Sequence, residues 1–155
     1  MEIQIPGSQT ILLDHLVLDF NGTLAHDGVL IEGVNDLLHE LSRQITIHVI
    51  TADTFGSVTK AMASIPCEVK IIDSLQQDQQ KSEFVKQLGA NHVFAVGNGR
   101  NDKMMLKEAA IGVVVIQHEG TFAPLLAEAD VVCSSIIDAL ELLTHPKRLI
   151  ATLRN

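Results

Sequence analysis

Two short polar stretches of this chain combine residue types that can carry out phosphoryl transfer. Residues 19–23 read Asp-Phe-Asn-Gly-Thr and residues 97–102 read Gly-Asn-Gly-Arg-Asn-Asp, and each stretch follows an apolar run typical of a buried strand. A carboxylate at the end of a strand can attack a phosphoryl group and form an acyl phosphate. In each stretch an asparagine stands where this chemistry commonly uses a second carboxylate, so the sequence predicts both a reaction class and a slow reaction.

The rest of the chain alternates apolar runs with amphipathic segments, which predicts the elements that position these stretches. We expect strands over residues 15–20, 45–50, 68–72, 92–96, 111–116 and 131–133. We expect helices over residues 32–43, 55–63, 79–88, 102–109, 122–127 and 135–143, and a helical tail after Pro146. This alternation predicts an α/β fold, namely a three-layer, Rossmann-like, doubly wound and mostly parallel sheet with helices on both faces.

Two small β-structures are predicted around the first long strand. Residues 1–13 indicate an N-terminal β-hairpin at an edge, with two short strands around residues 6–8. Asp27 and Gly28 stand between apolar residues, and an Asp-Gly pair is typical of a tight hairpin turn. We therefore expect a small β-flap over residues 25–31, and we expect residues 1–155 to form one core domain.

Composition excludes several classes of protein. The 155 residues are 46% hydrophobic but only 3% aromatic, which predicts a core of Val, Ile, Leu and Ala, as in parallel sheets covered on both faces. The net charge of −8, with no Lys/Arg-rich run, argues against a nucleic-acid or membrane surface. No apolar run has the length of a membrane span and the N-terminus does not resemble a signal peptide, so a cytoplasmic location is expected.

Five polar side chains are predicted to meet at one edge of the sheet. Ligands of doubly wound sheets bind at the carboxyl ends of the strands. Asp19 ends the first long strand, Thr51 follows the next one, and Asn98 and Asp102 follow the strand that ends at residue 96. Lys81 begins a helix and is expected to point toward the same crevice.

These residue types suit a metal-assisted phosphoryl transfer. Asp19 is the predicted nucleophile. The phosphate is expected to bind the hydroxyl of Thr51, the backbone N–H groups of the Gly22 turn and the ammonium of Lys81. Mg²⁺ is expected to bind oxygen ligands such as Asp19 and Asp102.

In order along the chain, these segments resemble the four motifs of the haloacid dehalogenase (HAD) superfamily. The matching segments are residues 19–23, residues 51–53 (Thr-Ala-Asp), Lys81 and residues 97–102. The chain most resembles the soluble relatives of the P-type ATPase phosphorylation domain, whose motifs read Asp-Lys-Thr-Gly-Thr, Thr-Gly-Asp and Gly-Asp-Gly-x-Asn-Asp. The resemblance spans residues 17–132, and four motifs in the right order make a specific signal.

The resemblance implies a Mg²⁺-dependent phosphohydrolase or phosphotransferase that acts through an aspartyl phosphate on Asp19. It implies two catalytic residues, Asp19 and Asn21. The implied phosphate ligands are Gly22, Thr51, Ala52 and Lys81. The implied metal ligands are Asp19, Asn21 through its backbone carbonyl, Asn98 and Asp102.

The two asparagines depart from the family pattern. Most HAD phosphatases carry an aspartate at the position of Asn21, where it protonates the leaving group and then activates the water that cleaves the aspartyl phosphate. A carboxamide does neither, and losing such a group typically costs about 10² to 10⁴ in rate. Asn98 replaces the first carboxylate of the last motif, so metal affinity is expected to fall. The alternative function is a catalytically impaired relative that binds a phosphorylated ligand or a protein partner.

The spacing of the motifs predicts a HAD core without a cap domain. Asp19 and Thr51 are 32 positions apart, and Thr51 and Lys81 are 30 positions apart, so neither interval can house a cap. Capless members of the superfamily act on large substrates or close their site by forming oligomers. The expected partners are therefore a phosphorylated small molecule or macromolecule and a second copy of the chain. Neither a pump's nucleotide-binding domain nor its membrane helices are present, which excludes an ion pump.

Local alternatives exist for several of these residues. Residues 97–99, Gly-Asn-Gly, also suit the start of a dinucleotide fingerprint, although its third glycine is replaced by Asp102. Thr51 also suits the N-cap of the next helix. Lys60 and Lys86 compete with Lys81 for the phosphate, and Lys81 is favoured because it begins a helix about twenty residues before Asp102, as in the family pattern.

Overall fold

The secondary structure follows the predicted alternation of strands and helices. The computed structural model describes residues 1–7, 10–53 and 56–154. Its strands are β1 (Glu2–Gln4), β2 (Thr10–Leu12), β3 (His15–Asp19), β4 (Ala25–His26), β5 (Val29–Leu30), β6 (Thr46–Thr51), β7 (Glu68–Ile71), β8 (Val93–Gly97), β9 (Ile111–Val115) and β10 (Val131–Cys133). Its α-helices are α1 (Val34–Leu41), α2 (Ser57–Ala61), α3 (Gln77–Leu88), α4 (Lys103–Glu108), α5 (Ile136–Thr144) and α6 (Pro146–Leu153). Short 3-10 turns cover Ala90–His92, Arg100–Asp102 and Ala123–Ala127.

The central sheet has six strands in the order β10-β9-β8-β3-β6-β7. Every neighbouring pair in it is parallel. Strand β3 lies in the middle, where Leu18 is opposite Val49 of β6 and Val96 of β8. The predicted α/β fold class is confirmed, and the strand that ends in Asp19 is one of the two middle strands of the sheet.

Helices cover both faces of this sheet because its strands are apolar on both sides. In β3, Leu16 and Leu18 face a core that also contains buried residues of α1, α5 and α6. Val17 points to the opposite face, where it packs in a second core with Val85 of α3 and Met105 of α4. The result is the predicted three-layer arrangement, built almost entirely from aliphatic side chains.

The N-terminal hairpin differs in one respect from the prediction. Strands β1 and β2 pair antiparallel, as expected, but they form a separate two-stranded sheet and not an edge of the main one. Ile3 and Leu13 are buried in the larger core, so the hairpin covers that core instead of extending the sheet. Residues 8 and 9, between the two strands in sequence, lie outside the described part of the chain.

Element boundaries shift by one or two residues where glycine or the tertiary structure sets them. Helix α1 begins at Val34, later than predicted, after Gly33 with a left-handed φ of 87°. Helix α3 begins at Gln77, two residues earlier than predicted, and ends at Gly89 as expected. The predicted start of α2 at residue 55 lies outside the described residues; the described helix begins at Ser57.

The predicted flap is the antiparallel pair β4–β5. Its turn residues have positive φ angles, 50° at Asp27 and 77° at Gly28. This conformation matches the twist of a tight hairpin and explains the Asp-Gly pair. The flap directly follows residues 19–23, so it stands beside the carboxyl end of β3.

The sheet order defines a crevice at the carboxyl end of β3. From β3 the chain passes through α1 to β6 on one side, and it returns through α3 to β8 on the other side. Because α1 and α3 lie on opposite faces, the ends of β3, β6 and β8 border an open crevice, as at other topological switch points. Among the described residues, no helix has the length and apolar character needed to cross a membrane.

Candidate active site

Asp19 lies at the floor of the crevice, at the carboxyl end of β3. Its side chain is nearly buried: Oδ1 lies 2.6 Å from Nζ of Lys81, and Oδ2 accepts a hydrogen bond of 3.1 Å from the hydroxyl of Thr23. Burial raises the pKa of Asp19 to about 6, and the nearby charge of Asp102 adds to this rise, while Lys81 and Thr23 oppose it. The carboxylate is thus held in one orientation and is less well solvated than a surface aspartate.

Lys81 reaches this carboxylate from the first turns of α3. Its side chain is fully buried, and Nζ lies 2.6 Å from Oδ1 of Asp19 and 2.6 Å from Oδ1 of Asp102. Burial alone lowers the pKa of Lys81, but the two carboxylates outweigh this effect and raise it above its ordinary value. Lys86, a competing candidate, is half exposed and instead faces Glu108 at 3.6 Å. The structure therefore brings Lys81 to Asp19, as the sequence predicted.

Asp102 contacts Lys81 and the loop that follows β8. The residue is fully buried; its Oδ1 faces Lys81, and its Oδ2 accepts backbone N–H groups of Asn98 at 3.0 Å and Gly99 at 2.8 Å. A Cβ at Gly97 would lie 2.5 Å from Cγ of Asp102, so only glycine allows this packing. Both oxygens are engaged behind Lys81, away from the cavity. In this arrangement the carboxylate orders residues 98–99 and neutralises Lys81, and its predicted role as a metal ligand stays a prediction.

Asn98 faces Asp19 across the hydroxyl of Thr23. Thr23 Oγ1 lies 3.1 Å from Oδ2 of Asp19 and 3.2 Å from Oδ1 of Asn98. The amide nitrogen of Asn98 donates to the carbonyl of Gly120 at 2.9 Å, which directs the amide oxygen toward Asp19. The sequence motif contained Thr23, but nothing in the sequence indicated this bridging position between two strands.

The Gly22 turn connects the end of β3 to the flap. The N–H of Gly22 donates to the carbonyl of Ala25 at 2.9 Å, because the chain folds back into the flap. That N–H groups of this turn bind phosphate stays a prediction. Gly22 has a φ of 76°, and a Cβ there would lie 2.4 Å from Nδ2 of Asn98. The absence of a side chain at Gly22 therefore allows Asn98 to approach closely, and the N–H of Gly22 is hydrogen-bonded within the loop.

A polar cavity of about 630 Å³ opens in front of Asp19. Asn21 is exposed on its wall, and the buried Thr51 and its neighbour Ala52 line it at the end of β6. The hydroxyl oxygen of Thr51 accepts the N–H of Asp53 at 3.2 Å, which leaves the hydroxyl proton available to a ligand. The other lining residues are Asp19, Asp53, Gln77, Asn98, Gly99, Asn101 and Glu119.

Gln117 and Glu119 hold the loops of the cavity wall together by hydrogen bonds. Neither residue was predicted from the sequence. Gln117 donates to the carbonyls of Gly22 at 2.9 Å and Thr23 at 2.6 Å, and its Oε1 accepts the N–H of Ile136 at 2.8 Å. Glu119 accepts the N–H of Asp27 at the flap tip at 3.0 Å. The bonds to Gly22, Thr23 and Asp27 join residues more than ninety positions apart, so no local pattern could have indicated them.

The donor atoms at the cavity suit a hard cation in type but include little negative charge. The oxygens near Asp19 are its carboxylate and the amide of Asn98, with the backbone of Asn21 on the adjoining wall. Oxygen ligands of this kind are those that Mg²⁺ accepts. Within the described residues no group of three His, Cys, Asp or Glu side chains could hold a metal, consistent with the asparagine at position 98.

Comparison with solved structures shows the class to which this fold belongs. No protein-family model matches the chain. The structure superposes on 3-deoxy-D-manno-octulosonate 8-phosphate phosphatase from Moraxella catarrhalis, which was solved with magnesium, phosphate and KDO. The TM-score is 0.71 and the sequence identity is 16%, and the match covers 92% of this chain and 94% of the other. The cobalt-bound octulosonate 8-phosphate phosphatase from Haemophilus influenzae gives a TM-score of 0.66 at 12% identity, and the match covers 89% of this chain and 96% of the other. Apo phosphoserine phosphatase gives a TM-score of 0.67 at 14% identity, and the match covers 86% of this chain and 98% of the other. The chain has the fold of the HAD superfamily phosphatases, without a cap domain.

A closer relative is known by sequence. The chain is 34% identical over 88 residues to the uncharacterized protein MJ0073 of Methanocaldococcus jannaschii, and the match covers 57% of this chain and 85% of that protein. The chain belongs to the same family as this archaeal protein.

Proposed function

We propose that this protein is a HAD-type phosphohydrolase or phosphotransferase that forms an aspartyl phosphate on Asp19. The observation that carries the proposal is the position of Asp19, whose carboxylate lies at the floor of a polar cavity and is fixed by the buried ammonium of Lys81. The shared fold with several phosphatases supports the same reaction class. A phosphorylated substrate is the corresponding ligand.

The proposed first step is attack of an Asp19 oxygen on the phosphorus. Lys81 and the hydroxyl of Thr51 hold phosphoryl oxygens. Burial, which raises the pKa of Asp19, leaves the carboxylate poorly solvated and therefore reactive. Asp102 acts as a positioning residue, since its negative charge keeps Lys81 protonated and its Oδ2 orders the loop at residues 98–99. The bond to the leaving group breaks as the bond to Asp19 forms.

The proposed cofactor is Mg²⁺, held by Asp19, the amide oxygen of Asn98 and the backbone carbonyl of Asn21. When bound, the ion supplies positive charge to the phosphoryl oxygens. Asn98 contributes a neutral ligand where a carboxylate would bind more strongly, so we expect weak metal affinity.

The proposed second step, hydrolysis of the aspartyl phosphate, is slow. Asn21 lines the cavity beside Asp19 but cannot accept a proton from an attacking water. A long-lived phosphoprotein is therefore expected, which is also how the P-type ATPase phosphorylation domain behaves. We further propose that residues 1–155 act as one domain, with the flap bordering the substrate site.

Covalent phosphate on Asp19 is the decisive measurement. The protein is incubated with Mg²⁺ and an aryl phosphate, and the denatured protein is examined for a hydroxylamine-labile phosphoryl group by mass spectrometry. We expect the group in the wild type and its loss in Asp19→Asn. Asn21→Asp should raise steady-state turnover about 10²-fold or more, whereas Asn101→Asp, which adds the same charge to another cavity wall, should raise it less than threefold.

The second candidate function is binding of a phosphorylated ligand without turnover, and the two asparagines favour it. Phosphate binding by calorimetry with neither covalent phosphate nor turnover, even in Asn21→Asp, would support this candidate over the enzyme. A chain that binds neither phosphate nor Mg²⁺ contradicts both functions.

A further inference from the structure

The cavity in front of Asp19 has two other carboxylates on its wall, Asp53 and Glu119. Either could in principle perform the proton transfer for which Asn21 lacks a basic group. Glu119 belongs to none of the four motifs, and it lies in the loop after β9, far from Asp19 in sequence. The contacts of the two carboxylates distinguish them.

Two anchors fix the loop that carries Glu119 against the nucleophile loop. On one side, Gln117 donates to the carbonyls of Gly22 and Thr23. On the other side, the carbonyl of Gly120 accepts the amide of Asn98 at 2.9 Å. Glu119 lies between these anchors, so its backbone is held on the same side of the cavity as residues 21–23.

The carboxylate of Glu119 has one oxygen engaged and one available. Its Oε1 accepts the backbone N–H of Asp27 at 3.0 Å, which fixes the side chain beside the flap. Within the described residues, no hydrogen bond or ion pair engages its Oε2. A carboxylate oriented in this way can accept a proton from a water molecule in the cavity.

Asp53 follows the end of β6, next to Thr51, which the proposed function assigns to the phosphate. Its N–H donates a hydrogen bond of 3.2 Å to Thr51 Oγ1, and its side chain accepts a hydrogen bond from the hydroxyl of Ser57. These contacts tie Asp53 to the strand end that holds the phosphoryl oxygens. Glu119, in contrast, lies in the loop that Gln117 bonds to the carbonyls of Gly22 and Thr23, directly after Asn21, where a proton acceptor is missing.

Resting on the aspartyl phosphate proposed above, we infer that Glu119 is the general base for its hydrolysis. A water oxygen attacks phosphorus as one of the water's protons passes to Oε2 of Glu119. The bond between phosphorus and the Asp19 oxygen breaks, which releases inorganic phosphate and regenerates the Asp19 carboxylate. Glu119 then returns its proton to solvent. The nucleophile and the base thus come from opposite halves of the chain.

Decay of a preformed phosphoprotein isolates this step. The full chain is loaded with acetyl phosphate and Mg²⁺, because acetate leaves without a proton donor, and the donor is removed by rapid desalting. Release of inorganic phosphate is then followed over time. We expect Glu119→Gln to load to the same level as the wild type but to release phosphate about 10²-fold more slowly. Glu32→Gln, the same change at an exposed glutamate just after the flap, should release phosphate at the wild-type rate.

Repeating the comparison of Glu119 with Glu119→Gln in an Asn21→Asp background separates a catalytic role of Glu119 from a structural one. The carboxylate introduced at position 21 provides another base, so Glu119→Gln should then slow release less than threefold. Equal slowing in both backgrounds means that Glu119 acts only through the fold, and it overturns the inference. Wild-type decay no faster than that of the urea-denatured phosphoprotein overturns it as well. A wild type that loads no phosphate contradicts the proposed function itself, whereas normal loading with unchanged decay in Glu119→Gln contradicts only the role of Glu119.

Discussion

The ammonium of Lys81 lies 2.6 Å from Oδ1 of Asp102, and both side chains are fully buried. The same ammonium contacts Asp19 at the same distance, so one positive charge serves two carboxylates in the protein interior. Charges removed from water are tolerated only when each has a partner. The arrangement that orients the proposed nucleophile is therefore also a stability element.

Removing the positive charge should destabilise the protein strongly. Lys81→Met keeps the length of the side chain but leaves two buried carboxylates without a counter-charge, and we expect a loss of about 3–5 kcal/mol in the free energy of unfolding. Urea denaturation monitored by circular dichroism measures this quantity. The control is Lys86→Met, whose exposed pair with Glu108 should contribute less than about 1 kcal/mol. Equal effects of the two substitutions would contradict the structural role of Lys81.

Asp19→Asn should stabilise the folded protein at neutral pH. The pKa of Asp19 is raised to about 6 by burial and by Asp102, so folding favours its protonated form. That contribution is fully present below the ordinary pKa of 3.8 and is lost as pH rises through about 6. We expect the variant to exceed the wild type by about 1–3 kcal/mol at pH 8, and the difference to shrink as pH falls toward 5. Urea titrations at several pH values test this, and a difference that does not change with pH contradicts it.

Asn98→Asp should strengthen Mg²⁺ binding. The amide oxygen of Asn98 lies 3.2 Å from Thr23 Oγ1, on the side facing Asp19, so a carboxylate there adds a charged ligand at the proposed metal position. We expect about a tenfold lower dissociation constant, or about 1.4 kcal/mol, by isothermal titration calorimetry. Asn101→Asp adds the same charge elsewhere on the cavity wall and should change the constant less than threefold. An equal gain in both variants would indicate only a general effect of charge.

Two glycines with the same backbone conformation should respond differently to alanine. Gly22 and Gly28 have φ angles of 76° and 77°, but only at Gly22 would a Cβ meet another atom closely, at 2.4 Å from Asn98. Gly28→Ala should therefore cost about 1–2 kcal/mol from backbone strain alone. Gly22→Ala should cost about 1–3 kcal/mol more, because Asn98 must move. Denaturant unfolding measures the loss in free energy of unfolding for both variants. Equal losses would show that the Asn98 side chain moves aside without destabilising the protein.

Features that depend on neighbouring residues were predictable from the sequence. The α/β fold class follows from apolar runs that alternate with amphipathic ones, and the flap follows from the Asp27–Gly28 pair. The meeting of Lys81 with Asp19 was also predictable, because Lys81 lies near the start of a helix that begins at the same edge of the sheet as the carboxyl end of β3. These features depend on periodicity and topology, which short stretches of sequence determine.

Only the tertiary structure decided how the polar atoms at that edge are shared. It engages the N–H of Gly22 with the carbonyl of Ala25 and turns Asp102 toward Lys81. It also brings Glu119 to the flap across 92 positions of sequence. A hydrogen-bonding group has a small number of partners, and which partner it takes depends on loop packing that no local pattern records. The sequence by itself determined which groups gather at the end of β3, and the packing of the loops determined which of them remain available for chemistry.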